Sequence, residues 1–272
     1  MSRPLRTAAI AGSALAALYA LPALASIGPL RNRLAPRLAG VGHPDHVALT
    51  FDDGPHPLST PRFLAELERL DVRATFFLLG RWAARSPILA KEIVAAGHEV
   101  AVHGYEHRCL LARGAGATYD DLARARDVIA DATGEQPRWF RPPYGVLTGA
   151  VLTSARRLGL SPVLWTAWGE DWTARATPDS VYRTVVADLA GGGTILLHDS
   201  DVTSVPGSWR ATLGAVPRLV DTCRARGLRV GPLAEHGVDG GTVASGTLTS
   251  EAFASGAFAP GAGLGTARLV RR

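Results

Sequence analysis

The segment LTFDDGP, residues 49–55, places two acids side by side after an apolar run. The run Val47–Phe51 is typical of a strand that is apolar on both faces, as in a parallel sheet covered by helices. A glycine and a proline then end the strand. Because successive strand residues point to opposite faces, Asp52 and Asp53 are expected to have different tasks. Asp-Gly-Pro is also ordinary turn chemistry, so this segment alone leaves a site and a plain turn as equal alternatives.

A second segment, HGYEH at residues 103–107, has the spacing of a metal site. His103 and His107 can face the same way if the loop makes one helical turn. Two neutral imidazoles and one carboxylate from another strand would leave positions open for water and substrate, as a catalytic metal needs. Either Asp52 or Asp53 could supply that carboxylate, and the other would then be a general base beside the attacking water.

Ionisable residues follow the C-terminal ends of four predicted strands. They are Asp52 and Asp53, then His103, then Arg141, and finally His198 with Asp199. In a parallel barrel all these ends open on one face, where catalytic groups gather. The four ends together therefore indicate one active site rather than four unrelated turns.

Strand and helix patterns alternate from about residue 46 onward. The predicted strands are Val47–Phe51, Ala74–Leu79, Glu99–Val102, Arg138–Phe140, Pro162–Thr166, Thr194–Leu197 and Leu228–Val230. The predicted helices include Pro61–Leu70, Pro87–Ala96, Tyr119–Ala132 and Pro178–Ala190, with capping residues at Ser59-Thr60, Ser86, Thr118 and Thr177. This alternation predicts an α/β fold, a single distorted (β/α) barrel of about seven parallel strands.

The distribution of charge argues against nucleic-acid binding. The net charge is +5, but residues 1–37 hold five arginines and no acids. Residues 38–237 hold 21 basic and 22 acidic residues, so this part lacks the excess of cations that a nucleic-acid footprint needs. Two cysteines, Cys109 and Cys223, are too few for a disulfide framework.

The N-terminus predicts that the folded part lies outside the cytoplasm. Arg3 and Arg6 precede an uncharged, mostly apolar stretch at residues 7–30, and Ala23-Leu24-Ala25 offers a cleavage site. An uncleaved membrane tether is the alternative, because the stretch is long enough to cross a bilayer. The expected organisation is a signal peptide or membrane anchor plus linker at 1–37, one folded domain at 38–237, and a flexible Gly/Ala-rich tail at 238–272.

Five short motifs, in this order, resemble those of the polysaccharide deacetylases of the NodB-homology type, the carbohydrate esterase family 4 enzymes. They are TFDDGP (50–55), HGYEH (103–107), RPPYG (141–145), DW (171–172) and LLH (196–198). The resemblance runs from about His46 to Val230, and it identifies residues 38–237 as a NodB-homology domain.

The resemblance implies a metal centre and a base. Asp53, His103 and His107 are the implied metal ligands. Asp52 is the implied general base that takes a proton from the attacking water. Arg141 is implied to pair with Asp52, and a nearby guanidinium does favour the charged form of a carboxylate.

The resemblance also implies an acid and a pocket for the acetyl group. His198 is the implied general acid, with Asp171 as the partner that favours its imidazolium form. The backbone N–H of Tyr144 is implied to donate to the oxyanion. Trp172 and Leu196 are implied to form the apolar walls around the acetyl methyl.

The implied activity is a metal-dependent hydrolase that removes acetyl groups from N-acetylated sugars of a cell-wall or environmental polysaccharide, of peptidoglycan or chitin type. Zn²⁺ is the expected ion, although Co²⁺ or another divalent ion could serve. The alternatives are an O-acetyl esterase acting on acetylated xylan or a wall polymer, and a non-catalytic glycan-binding protein. A complete motif set argues against the binding protein, which would be expected to have lost Asp52 or a ligand.

Two details bear on substrate and metal binding. The family commonly has Ser or Thr after the first histidine of its second motif, to brace the loop with a hydrogen bond. This chain has Gly104 there, which predicts a lower metal affinity. A long polymer needs an open groove, and the candidates for its lining are Trp82, Trp165, Trp168 and Trp209.

Overall fold

The computed structural model describes residues 28–238, in which eight parallel strands form one curled sheet. The strands are β1 (His46–Asp52), β2 (Thr75–Leu78), β3 (Glu99–Val102), β4 (Trp139–Phe140), β5 (Ser161–Pro162), β6 (Ala167–Trp168), β7 (Thr194–His198) and β8 (Arg229–Gly231). Their order is β5-β4-β3-β2-β1-β7-β6, with β8 pairing with β1. The predicted distorted barrel of parallel strands is confirmed, since the sheet curls into a half-barrel.

Helices cover this sheet and connect its strands. They are α1 (Gly28–Leu34), α2 (Pro36–Ala39), α3 (Thr60–Arg69), α4 (Gly80–Arg85), α5 (Pro87–Ala95), α6 (Ala115–Thr133), α7 (Gly149–Arg157), α8 (Pro178–Asp188) and α9 (Trp209–Ala225). Strand β1 lies at the centre, and all seven of its residues are buried. Its register places Asp52 beside His198 of β7, so the parallel arrangement aligns the strand ends that carry polar groups.

The apolar run that predicted β1 supplies the centre of the core. Phe51 is fully buried between Phe63 of α3 and Phe76 of β2, with ring centroids 5.1 Å and 5.2 Å away. Burying one such side chain stabilises the fold by about 1.5–3 kcal/mol. The core therefore fixes β1 and, with it, the acids that follow its end.

Several predicted local features are wrong. Ser59 and Ser86 occupy N-cap positions, but their side chains make no cap hydrogen bond. The predicted strand Pro162–Thr166 is two short strands, because the backbone between them bonds elsewhere: the Leu164 N–H donates to Leu38 O (2.7 Å) and Arg141 Nη2 donates to Leu164 O (2.9 Å). Thr118 caps no helix, because α6 already begins at Ala115 and Thr118 is buried inside it. These long-range contacts override the local signals.

The predicted leader and tail fall largely outside the described residues, at 1–27 and 239–272. Helix α1 lies within the predicted linker, and α2 crosses the predicted boundary at residues 37 and 38. Both helices contact the barrel wall: the Arg31 guanidinium donates to the Trp165 carbonyl, and Leu38 accepts the bond from Leu164. Among residues 28–238, none of the helices has the length and apolar character needed to cross a bilayer.

A stability test follows from the capping residues. The Thr177 hydroxyl accepts a hydrogen bond from Ser180 N (3.1 Å), and Ser180 Oγ accepts one from Thr177 N (2.9 Å), which together form a capping box on α8. Thr177→Ala should lower the free energy of unfolding in urea by about 1 kcal/mol. Ser86→Ala is the control, because the Ser86 side chain makes no cap bond on α5. Equal losses in the two variants would contradict the capping role of Thr177.

Candidate active site

Asp52 and Asp53 reach the same site by different routes. Asp52 is the last residue of β1, whereas Asp53 leaves the strand with a φ of 80°, in the left-handed region that aspartate tolerates better than most residues. His103 Nε2, at the end of β3, lies 3.8 Å from Asp52 Oδ2 and 3.5 Å from Asp53 Oδ1. The turn therefore brings two neighbouring carboxylates to one histidine.

Asp53, His103 and His107 form a group that could hold a metal ion, with one ligand atom of each within 4.8 Å of the others. Asp53 Oδ1 is 3.5 Å from His103 Nε2 and 3.7 Å from His107 Nε2. These separations exceed a normal hydrogen bond but approach the roughly 3.4 Å expected between two ligands of a tetrahedral zinc ion. Asp53 Oδ1 is buried and has no hydrogen-bond partner. The donor set thus fits a divalent ion.

The two imidazoles are prepared to act as neutral ligands. His103 Nδ1 lies 2.8 Å from the carbonyl oxygen of Arg141, which can only accept, so Nδ1 carries the proton and Nε2 faces Asp53. Burial, assisted by the nearby His107, holds the pKa of His103 well below its usual value. Burial also lowers the pKa of His107. Neutral imidazole is the form that binds a metal.

Arg141, at the end of β4, orients Asp52. Its Nη1 donates to Asp52 Oδ1 (2.7 Å) and to Thr50 Oγ1 (2.9 Å), and its Nη2 donates to Leu164 O (2.9 Å). Both Arg141 and Asp52 are buried. Burial raises the pKa of Asp52 to about 6, although the positive charge of Arg141 opposes this rise. Asp52 is therefore a carboxylate at neutral pH, and its basicity is higher than that of an exposed aspartate.

His198, at the end of β7, is held by Asp171. Its Nδ1 lies 2.8 Å from Asp171 Oδ1, and its backbone N–H donates to Asp171 Oδ2 (2.8 Å), which also accepts a bond from Thr212 Oγ1 (2.6 Å). Burial alone would lower the pKa of His198, but the carboxylates of Asp171, Asp53 and Asp52, with Asp171 foremost, together raise it to about 10. The imidazole is thus protonated at neutral pH, as a general acid must be.

The pair of His198 and Asp171 leads to a prediction about pH dependence. A general acid works only while protonated, so activity should persist below the pKa of His198 and fall above it. Asp171→Asn removes the largest of the contributions that raise this pKa, whereas the lowering effect of burial and the smaller raising effects of Asp53 and Asp52 remain. The basic limb of the kcat/KM profile should therefore move from about pH 10 to lower pH. An unmoved basic limb in this variant would assign the limb to another group.

Asp52 and the three histidines His103, His107 and His198 line a cavity of about 280 Å³ that also has apolar walls. Tyr144, Trp172 and Leu196, the residues implied to meet the acetyl group, all line it. Trp165 and Trp168 stack at 6.0 Å, and Trp168 lies 5.0 Å from Trp172, so three indoles form one continuous wall. Trp209 does not reach this wall, because it is buried in α9.

The second motif is braced without a side chain at its second position. Gly104 has a φ of 91°, and an added Cβ would lie 3.2 Å from Asp121 Oδ2, so Ser or Thr would be strained there. Asp121 instead accepts a bond from Tyr105 N (3.0 Å). The N–H groups of Gly80 and Arg81, at the start of α4, donate to Gly104 O (2.9 Å) and Tyr105 O (3.0 Å). These contacts fix the loop that carries both histidines.

Thr203 is a residue of this site that no motif in the sequence marks. Its hydroxyl donates to Oδ2 of Asp53, a residue 150 positions earlier in the sequence. Asp53 Oδ1 has no such partner and lies near His103 and His107. Thr203 lies in the loop after β7 and lines the same cavity. An outer contact of this kind orients a metal-binding carboxylate.

Comparisons with known proteins show which family this chain resembles. The sequence profile of the family described as polysaccharide deacetylase matches residues 39–163. The chain is 36% identical over 199 residues to a chitooligosaccharide deacetylase of Bradyrhizobium sp. (strain ANU 289). The aligned region covers 70% of this chain and 89% of that protein. It is also 35% identical over 158 residues to the peptidoglycan-N-acetylglucosamine deacetylase PgdA of Listeria monocytogenes. That aligned region covers 58% of this chain and 33% of that protein.

A solved structure gives the same result. The family 4 carbohydrate esterase from Streptomyces lividans, in complex with acetate, matches with a TM-score of 0.62 and 35% sequence identity. The match covers 69% of this chain and 92% of that one. The family resemblance that five motifs predicted is thereby confirmed, and the chain belongs to the polysaccharide deacetylase family of enzymes.

Proposed function

We propose that this protein hydrolyses the acetamide group of N-acetylated sugars in a polysaccharide, with a divalent ion held by Asp53, His103 and His107. The observation that carries the proposal is the pairing of a base with an acid in one cavity. Asp52 has a pKa of about 6 and His198 a pKa of about 10. Between these values the carboxylate is ionised and the imidazole is protonated, which are the forms that amide hydrolysis requires.

The residues divide the reaction between them. A divalent ion bound by the triad of Asp53, His103 and His107 would polarise the acetyl carbonyl and the attacking water. Asp52, oriented by Arg141, takes the proton of that water. His198, held by Asp171, gives its proton to the sugar nitrogen as the C–N bond breaks, so the products are acetate and an amine.

The remaining implied residues would hold the acetyl group. The backbone N–H of Tyr144 is proposed to donate to the oxyanion, and Tyr144 has a left-handed φ of 60°, which sets the direction of the backbone there. Leu196 and Trp172 would cover the acetyl methyl, and both line the cavity. Apolar walls of this kind favour a small acyl group over water.

The substrate is proposed to be a polymer that contains N-acetylglucosamine. Relatives named for chitooligosaccharide and for peptidoglycan N-acetylglucosamine support this choice. The proposed place of action is outside the cytoplasm, supported by the charged start and the apolar stretch at residues 7–30. Zn²⁺ is the proposed ion, because the ligands are two imidazole nitrogens and one carboxylate.

Acetate release tests the activity. The purified protein would be stripped of metal, reloaded with Zn²⁺, and incubated with tetraacetylchitotetraose and, separately, with acetylated xylan. The expected result is acetate from the chitooligosaccharide only after reloading. Release from xylan alone would make the protein an O-acetyl esterase. Metal binding without release from either substrate would favour the glycan-binding alternative.

A further inference from the structure

A second cavity adjoins the first on the side of the loop at residues 103–107. It has a volume of about 440 Å³ and shares three lining residues with the first cavity: His107, Tyr144 and Thr203. Its remaining walls include Arg81, Trp82, Glu106 and Arg108. The metal site therefore lies between an indole wall on one side and a charged cavity on the other.

The charges in the second cavity do not balance. Arg108 pairs with Glu106, whereas Arg81 Nη1 is 4.0 Å from Glu106 Oε1, beyond hydrogen-bond range. Among the described residues that line this cavity, Glu106 is the one acid. Two guanidiniums thus face one carboxylate, and one positive charge remains in excess.

The two arginines also keep free donors toward solvent. Their side chains are 46% and 62% exposed, and each guanidinium carries five N–H groups in a planar fork. Such a fork matches the two oxygens of a carboxylate. Trp82 lies beneath Arg81, with the guanidinium 6.0 Å from the ring centroid, and offers a flat apolar surface beside the charges.

Backbone hydrogen bonds hold the start of α4, which carries Arg81, against the loop of the proposed metal ligands. The N–H of Arg81 donates to Tyr105 O (3.0 Å), and the N–H of Gly80 donates to Gly104 O (2.9 Å). A Cβ added at Gly80 would lie 2.8 Å from both Ala125 Cα and a Tyr105 ring carbon, so the two segments approach closely. The backbone of Arg81 is therefore held next to the loop that carries His103 and His107.

We propose that Arg81 and Arg108 form a subsite for a carboxylate borne by a sugar next to the one that loses its acetyl group. This inference rests on the proposed function. It makes the preferred substrate an anionic glycan rather than a neutral one. Two kinds of sugar carry such a carboxylate: an N-acetylglucosamine with a lactyl ether, and a uronic acid, whose C6 is a carboxylate.

Matched tetrasaccharides test the subsite. Four substrates would be compared with the zinc-loaded protein: tetraacetylchitotetraose, the same backbone with lactyl ethers on alternate sugars, that compound with its carboxylates converted to amides, and an oligomer alternating N-acetylglucosamine with a uronic acid. We expect kcat/KM for an acidic substrate to exceed that of the amide by at least about tenfold. The preference should shrink as salt is raised, because the arginines are exposed.

Variants assign the preference to the two arginines. Arg81→Gln and Arg108→Gln should each reduce the ratio of kcat/KM for the acidic substrate to that for its amide. Arg85→Gln is the matched control, because Arg85 stands on the same helix and stacks on Trp82 at 4.8 Å, but does not line the cavity. A wild-type ratio near one, or a ratio that both cavity variants retain, would overturn the proposal.

Binding separates this inference from the proposed activity. Calorimetry with the same four oligomers and the Asp52→Asn variant measures the carboxylate preference without turnover. Tighter binding of an acidic oligomer, lost in Arg81→Gln, would support the subsite even if no acetate were released from any substrate. Acetate release with equal affinity for the acidic oligomers and the amide would leave the deacetylase standing and refute the subsite.

Discussion

Asp52→Asn should lower kcat by about a thousandfold while the protein keeps its metal. The asparagine has the same shape and can still accept a bond from Arg141, but it cannot take a proton from the attacking water. General base catalysis contributes about 10²–10⁴ to a rate, so the loss should fall in that range. Initial rates of acetate release, with the zinc content measured on the same sample, check both parts of the prediction.

The control is a second buried acid close to the site. Asp199 follows His198, is fully buried, and accepts a bond from Thr60 Oγ1, but it does not line the cavity. Burial raises its pKa to about 7. Asp199→Asn should therefore cost less than about tenfold in kcat. A similar loss of kcat in both variants would show that removing any buried carboxylate near the ends of β1 and β7 lowers kcat. The general base would then not be assigned to Asp52.

The Asp52 variant should also be less stable, which the assay has to take into account. Arg141 is fully buried and would lose the one carboxylate bonded to its guanidinium. Breaking a buried ion pair by removing one partner typically costs about 3–5 kcal/mol, although Thr50 and Leu164 still accept bonds from this arginine. A melting curve on each sample separates the loss of folded protein from the loss of kcat.

The parallel sheet explains why much of the site was predictable. The apolar strands β1, β3 and β7 each end at a polar residue in the sequence, and parallel pairing places all such ends at one edge. Once the strands were recognised, Asp52, His103 and His198 had to be neighbours. The register between Asp52 and His198 is a direct result of that pairing.

Other parts of the site depend on contacts that have no local signal. Thr203 meets Asp53 across 150 positions, and Asp121 braces Tyr105 from a helix 16 positions away. Neither threonine nor aspartate is unusual at a loop or helix surface, so composition does not mark them. The left-handed backbone of Tyr144 is likewise set by the fold around it rather than by residue type.

His107→Ala should lower the affinity for Zn²⁺ by at least a hundredfold and abolish metal-dependent turnover. Removing even an outer residue that orients a ligand costs about 10–100-fold in metal affinity, and His107 is itself one of three proposed ligands. Its Nε2 lies 3.7 Å from Asp53 Oδ1, and alanine leaves nothing in that position to donate electrons to an ion. Zinc retained after dialysis against a graded series of chelator concentrations gives the affinity directly.

His56→Ala provides the matched control for this measurement. His56 is also a partly buried histidine near this end of the barrel, with its ring 6.3 Å from Trp82, but it does not belong to the triad. Its loss should leave zinc content and turnover close to those of the unchanged protein. If His107→Ala instead retained as much zinc as His56→Ala, the ion would have to be bound by a different set of residues. A metal ion would then no longer explain why the buried Oδ1 of Asp53 has no hydrogen-bond partner. The expected contrast between the two histidines therefore tests the metal site independently of catalysis.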